Sequence, residues 1–262
     1  MKKLYRLIPV VLIGCASIYP ILNTSANPLQ PELAAVSETK AQYTDTTYAE
    51  NGVVETKSAF EMVIENTYNS LTTSENLSLP SYKSFSKAFA AYYQLEQEGL
   101  VKNNILTVVD FSLSSTQNRL WVIDMVSNKV IMNSLVAHGK NSGLDFANTF
   151  SNKINSFQSS LGAYLTAEIY TGKHGLSLRL DGMDEDLNAK ARERAVVMHG
   201  ANYVSNSFIK KQGRLGRSQG CPAVPVEVIS DLIDIVKDQS VLYIYHPSLD
   251  RFEDGFKSAL FS

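Results

Sequence analysis

Two stretches of the chain carry apolar residues at helical spacing. Between Ser58 and Leu71, the positions Phe60, Val63, Ile64, Thr67, Tyr68 and Leu71 fall on one stripe of a 3.6-residue period, which predicts an amphipathic helix. A second begins near Pro80-Ser81, presents Phe85, Ala88, Phe89, Tyr92 and Leu95 on one face, and stops at Gly99, a suitable left-handed C-cap. Beyond Lys102 the pattern turns to short β-rich runs: 105–111, 119–125, 129–137, 161–170, 176–180, 196–198 and 241–245. Ser127-Asn128 suits a hairpin turn. Strand follows strand with few helices between, so the sheet should be largely antiparallel. Two further helices are expected, a short polar one at 186–194 and one starting at Pro225 with Val228, Leu232, Ile235 and Val236 as its buried stripe.

The ends read differently. Residues 1–26 combine Lys2, Lys3 and Arg6 with an apolar run broken by Pro9, Gly14 and Pro20, too short and interrupted for the roughly 20 residues of a membrane span. A secretory signal is the expectation. Cleavage would follow Thr24-Ser25-Ala26; alternatively Leu12-Ile13-Gly14-Cys15 resembles a lipobox, and a lipidated Cys15 would anchor the chain to a membrane. Residues 27–55 are rich in Pro, Gln, Ser, Thr and Asn with few bulky apolar groups, which marks a disordered tether. The expected organisation is therefore signal (1–26), tether (27–55), helical accessory region (56–102), mainly β catalytic domain (103–248) and tail (249–262). The formal charge of -2 gives no basic field for a phosphate backbone, so nucleic acid is not an expected partner.

Export changes the meaning of cysteine. The chain has two, and processing removes or caps Cys15, so Cys221 is left unpaired in "GRSQGCPAVP". Such a residue is either a small buried hydrophobe or a reactive thiol. Three of the four histidines precede glycine near strand ends: His138, His174 and His199. Any one of them alone is more readily a histidine held by a backbone carbonyl. Their recurrence beside a lone thiol favours nucleophilic catalysis, since a thiol needs a base, a cation or a helix N-terminus to ionise near neutral pH. The helix at Pro225 would turn its positive end toward residues 218–221, and Gly220 permits close backbone approach. The histidines lack zinc-site spacings and one cysteine is too few for a cluster, so no metal or other cofactor is expected. Asp181, before Gly182, is as well explained by a turn as by a site, and residues 185–194 read as a solvated helix face.

The run Val196-Val197-Met198-His199-Gly200, followed by Ser218-Gln219-Gly220-Cys221, resembles the His-Gly and Ser-x-Gly-Cys signature of the L,D-transpeptidases, the YkuD-like cysteine enzymes of bacterial peptidoglycan. Matching stretches of the murein branch run from 137–143 through 159–162, 172–182 and 191–195 to 213–223. The resemblance implies a mainly β fold, of sandwich or barrel type, with a helical pair in front and a helix after the cysteine. It implies export to the periplasm or cell envelope and stem peptides of peptidoglycan as partners. It further implies that Cys221 attacks the amide at the L-centre of the third stem residue, D-Ala leaves, and a stem amine resolves the acyl-enzyme to a 3-3 crosslink. Water as acceptor would make the chain an L,D-carboxypeptidase. On this resemblance His199 is the base, the Gly220 and Cys221 amides bind the oxyanion, and Ser218 shapes the loop. His138 and His174 would line the donor groove or tie loops together. The better-known branch carries Arg or Asn two residues after the cysteine where this chain has Ala223; Arg217 or Arg179 would then serve the substrate carboxylate. A reading of a different class is an envelope protein that binds peptidoglycan without chemistry.

Overall fold

The computed structural model describes residues 57–74 and 76–252; the expected signal, lipobox-like site and tether lie outside the described residues. The helical pair forms as its periodicity predicts. Helix α1 (Ala59–Ser70) opens with a capping box in which Ser58 and Glu61 satisfy each other's backbone amides. Strand β1 (Thr72–Thr73) follows, then α2 (Tyr82–Gln97), whose N-cap Ser81 accepts from the Ser84 amide. Gly99 just beyond it has φ of 71°, the left-handed stop expected of it.

The remaining strands are β2 (Ile105–Asp110), β3 (Leu120–Asp124), β4 (Lys129–Ser134), β5 (Gly162–Gly172), β6 (Gly175–Gly182), β7 (Val197–Gly200), β8 (Ala223–Val224) and β9 (Val241–Tyr245). Together with β1 they form one nine-stranded sheet in the order β1-β4-β3-β2-β9-β5-β6-β7-β8. Five pairings are antiparallel, while β1 with β4, β2 with β9 and β7 with β8 are parallel.

All six residues of β2 are buried, because both faces of the sheet are covered. Alternation sends Leu106 and Val108 to one face, with Trp121, Ile123, Ala163 and Leu165, where α1 packs through Ile64 and α2 through Phe85, Phe89 and Tyr92. It sends Ile105 and Val109 to the other face, with Leu120, Val122, Tyr164 and Ile244, where Leu232, Ile233 and Val236 of α4 (Ile229–Val236) pack. The mainly β fold, the helical pair and the helix after the cysteine are thus in place.

Three local expectations change. The helix after the cysteine begins at Ile229 instead of Pro225, since residues 225–228 close a turn in which the Val228 amide donates to the Pro225 carbonyl at 3.1 Å. Residues 185–195 form successive turns instead of a polar helix. The cause is Asn188, whose fully buried side chain accepts from the Asp184 amide and donates to the carbonyls of Leu161 and Ala163, drawing the chain inward around itself. Finally, helix α3 (Asn206–Gln212), capped by Ser205 and stopped by Gly213, lies where no element was expected.

Candidate active site

The nucleophile loop is positioned by sheet register. His199 of β7 pairs with Ser177 of β6 on one side and with Ala223 of β8 on the other, so Cys221 is held beside β7. Cys221, His199, His174, Arg217 and Ser218 share one cavity of about 420 Å³. Tyr170, Phe157 and Tyr203 provide aromatic wall.

Ser218 organises the loop. Its hydroxyl donates to the Cys221 carbonyl at 2.6 Å and accepts from the Gly220 amide at 3.0 Å, closing a turn around one side chain. Its own backbone bridges to the 138–140 segment: its amide donates to the His138 carbonyl, and the Lys140 amide donates to its carbonyl. Gly220 has φ of +122°, and a Cβ there would stand 2.8 Å from the Gln158 carbonyl oxygen and 3.2 Å from Arg194 Nη2. Glycine is required on both counts. With its N–H given to Ser218, the Gly220 amide is not a free oxyanion donor in this arrangement, which leaves Gly220 a loop-forming role.

His199 Nδ1 lies 3.0 Å from the Gly200 carbonyl. A carbonyl only accepts, so Nδ1 carries the proton and the lone pair of the neutral ring is on Nε2, the tautomer a base needs. Burial pushes its pKa below the ordinary 6.5; the Gly200 carbonyl opposes this, while His174 and Lys173 add to it. The His174 ring stacks on it with centroids 4.4 Å apart. His174 reaches this position from the two-residue turn between β5 and β6.

Burial is also the largest influence on Cys221, raising its thiol pKa, with the Val197 amide, Arg194 and Lys173 pulling in the other direction. The sulfur receives the Val197 N–H at 3.5 Å and lies 3.7 Å from the Ala195 carbonyl, which accepts the S–H. A raised thiol and a lowered imidazole mean that both are neutral at pH 7. The helix dipole expected to ionise Cys221 therefore does not dominate its environment.

Other expected site residues separate. Arg217 lines the cavity and donates from Nη1 to the carbonyls of Lys140 and Gly143, holding the facing loop. Arg179 is not among the cavity-lining residues; its guanidinium lies 4.6 Å from the centroid of the Tyr170 ring, which does line it. His138 is also absent from the lining. It is fully buried, and Arg119 Nη2 donates to its Nδ1 at 2.9 Å. Burial first and Arg119 second push its pKa down to about 4, so it is a neutral structural histidine. Arg119 itself is fully buried and donates to the carbonyls of Val136 and Leu113. Ala223 is enclosed with Leu135, Ala137, Val204 and Leu215, so no long polar side chain fits at this position. Asp181 is occupied by Arg192, which also reaches Glu168.

Among the cavity residues that sequence reasoning did not single out are Lys173, Tyr203 and Arg194, besides the aromatic wall of Phe157 and Tyr170. Arg194 belonged to the supposed solvated face, yet it is half-buried and its guanidinium donates to the Ser151 carbonyl, Ser160 Oγ, Ser156 Oγ and the Gln158 carbonyl. Among the described residues no group of three or more His, Cys, Asp or Glu could hold a metal ion, and no helix is long and apolar enough to cross a membrane.

Residues 77–245 match the family described as L,D-transpeptidase catalytic domain. The chain therefore belongs to that family. Among solved structures, an L,D-transpeptidase from Mycobacterium smegmatis is 13% identical with a TM-score of 0.35, over 55% of this chain and 59% of that one. An L,D-transpeptidase from Xylanimonas cellulosilytica is 11% identical with a TM-score of 0.32, over 78% of this chain and 100% of the solved segment. This chain thus spans less than two thirds of the first of these proteins. No curated protein matches the sequence.

Proposed function

We propose that the protein is a cysteine-dependent L,D-transpeptidase of the bacterial cell envelope, acting on peptidoglycan stem tetrapeptides through a thioester acyl-enzyme and forming 3-3 crosslinks. The observation that carries this reading is the meeting of Cys221 and His199, in its Nε2-basic tautomer, within one cavity of a chain of this family. The reaction starts from a neutral pair. The S–H turns from the Ala195 carbonyl to His199 Nε2, the proton passes to the imidazole, and the thiolate sulfur bonds to the amide carbon at the L-centre. The Cys221 amide is the oxyanion donor, since that of Gly220 is engaged by Ser218. His199 then returns the proton to the departing amine as the C–N bond breaks, and D-Ala leaves. Attack by the amine of a second stem releases Cys221 and makes the crosslink.

Incubation of the protein with a defined tetrapeptide muropeptide, followed by mass analysis, tests the reading. The expected products are D-Ala and a dimer lighter than two tetrapeptides by one D-Ala, with no turnover by Cys221→Ala. Turnover by that variant would overturn the mechanism, and tripeptide without dimer would place water in the acceptor role.

A further inference from the structure

The thiol of Cys221 must become a thiolate in a place where burial opposes charge, and the helix after it begins too far along to be adjacent: residues 222–228 intervene before Ile229. Something else has to stabilise the negative sulfur. The charged and titratable groups facing it are Tyr170 from β5, Lys173 and His174 from the β5–β6 turn, His199 from β7, Tyr203 beyond it, Arg217 from its own loop, and Glu193 with Arg194 from the turns before β7. Of the three cations, Lys173 is exposed on a two-residue hairpin turn, where solvent weakens its field, and Arg217 spends Nη1 on the opposite loop.

Arg194 is different on three independent counts. It is half-buried, so its charge is less screened. It is immobilised by four hydrogen bonds to residues 151–160, including 2.5 Å to the Gln158 carbonyl and 2.7 Å to the Ser151 carbonyl. None of these acceptors is a carboxylate, so the positive charge is held by dipoles and not neutralised. It also touches the nucleophile loop: Arg194 Nη2 and the Gln158 carbonyl it binds are the atoms a Cβ at Gly220 would strike. The residue before Cys221 therefore lies on the Arg194–Gln158 pair. The next residue, Ala195, has φ of 52° and turns its carbonyl to the Cys221 sulfur.

From this geometry we propose that Arg194 is the positioning residue of the nucleophile: it fixes the floor on which Gly220 and Cys221 lie and supplies the uncompensated positive charge that stabilises the Cys221 thiolate. In the ionisation step the S–H bond breaks, the proton forms a bond to His199 Nε2, and the electron pair stays on sulfur under the field of Arg194. This deepens the transpeptidase reading and rests on it only for the use made of the thiolate.

The pH dependence of Cys221 alkylation by iodoacetamide measures the thiol directly and needs no peptidoglycan. Arg194→Gln should move the midpoint of that profile up by about one unit, since a nearby opposite charge is worth roughly one to three units. Alkylation at a fixed pH below the midpoint then slows several-fold. Arg194→Lys, which keeps the charge, should move it by less than half as much, and Lys173→Gln by less than Arg194→Gln. An unmoved midpoint in folded Arg194→Gln, or an equal shift in Arg194→Lys and Arg194→Gln, overturns the proposal. If Arg194→Gln gives no cooperative thermal unfolding, Arg194→Lys decides: a midpoint within a few tenths of a unit of wild type supports it, and a full-unit shift overturns it. A wild type that alkylates normally but leaves tetrapeptides intact would defeat the transpeptidase reading and leave the assignment of Arg194 standing.

Discussion

The two ends of the sheet are stabilised by different physics. At the β1–β4 end, α2 buries Phe85, Phe89 and Tyr92, ring against ring, in one cluster with Ile64 of α1 and with Trp121 and Ile123 of the sheet, and each helix is opened by a side-chain cap. At the β6–β8 end an apolar cluster of Leu178, Leu180, Met198 and Val224 is accompanied by a buried polar network of His138, Ser142, Ser159, His199 and Ser218, joined through backbone carbonyls and amides and reached from beside β3 by the Arg119 side chain. Asn155, Phe157 and Ala195 in that region take positive φ without being glycine. Apolar packing is tolerant of direction, whereas hydrogen bonds specify it. Stability and reactivity are therefore separable along the sheet.

The largest effect expected is at the site. His199→Gln should lower turnover of tetrapeptide by about 10²- to 10⁴-fold, the contribution of a positioned base, while the melting temperature changes by only a few degrees. A variant that melts far below wild type would show that the polar end also carries the fold. Next, Phe85→Ala should cost about 3–5 kcal/mol in denaturant unfolding and leave the alkylation rate of Cys221 in the folded fraction unchanged; a slowed rate would mean that the two ends are coupled.

The third effect is one of pH. His138 titrates at about 4 in the folded chain against an ordinary 6.5, so between those values the unfolded chain takes up a proton that the folded chain refuses. Stability should therefore rise with pH across that window, and fall by about 3 kcal/mol as pH drops through it. His138→Asn removes the His138 share of this slope, leaving that of His199 and His246, whose pKa values burial also lowers, and an unchanged slope in that variant would sink the assignment of a neutral buried histidine. The smallest effect is Ser81→Ala, which should cost about 1 kcal/mol through loss of the α2 cap and do nothing at the cavity.

Local pattern was enough to read the first end apart from β1. The stripe from Phe60 to Leu71 and the Ser81 and Gly99 caps lie within a few residues of the structure they dictate, and residues 241–245 form β9 as their apolar run suggests. Elements of two residues, β1 and β8, exist only through partners distant in sequence, and α3 has no buried residue to give it a stripe. At the site, the expectation of an export signal isolated Cys221 and the resemblance paired it with His199, but three His-Gly pairs look alike as text. What distinguishes His138 is Arg119 beneath it, and what distinguishes Arg194 is a loop of carbonyls and hydroxyls at 151–160. Neither neighbour leaves a trace in local spacing.

Strand β9 also has a consequence in time. It enters the sheet between β2 and β5, so until residues 241–245 are in place the half-sheets β1-β4-β3-β2 and β5-β6-β7-β8 are joined only by the isolated bridges Ala137–Ala223 and Gly139–Ser218 among the described residues. A chain emerging from its N-terminus holds two bare strand edges for as long as β9 is missing, each able to take a wrong partner. The last of the described strands to appear is the keystone of this seam, whose closure waits on contacts between residues more than a hundred positions apart in the parallel β2–β9 pair, a topology that folds slowly.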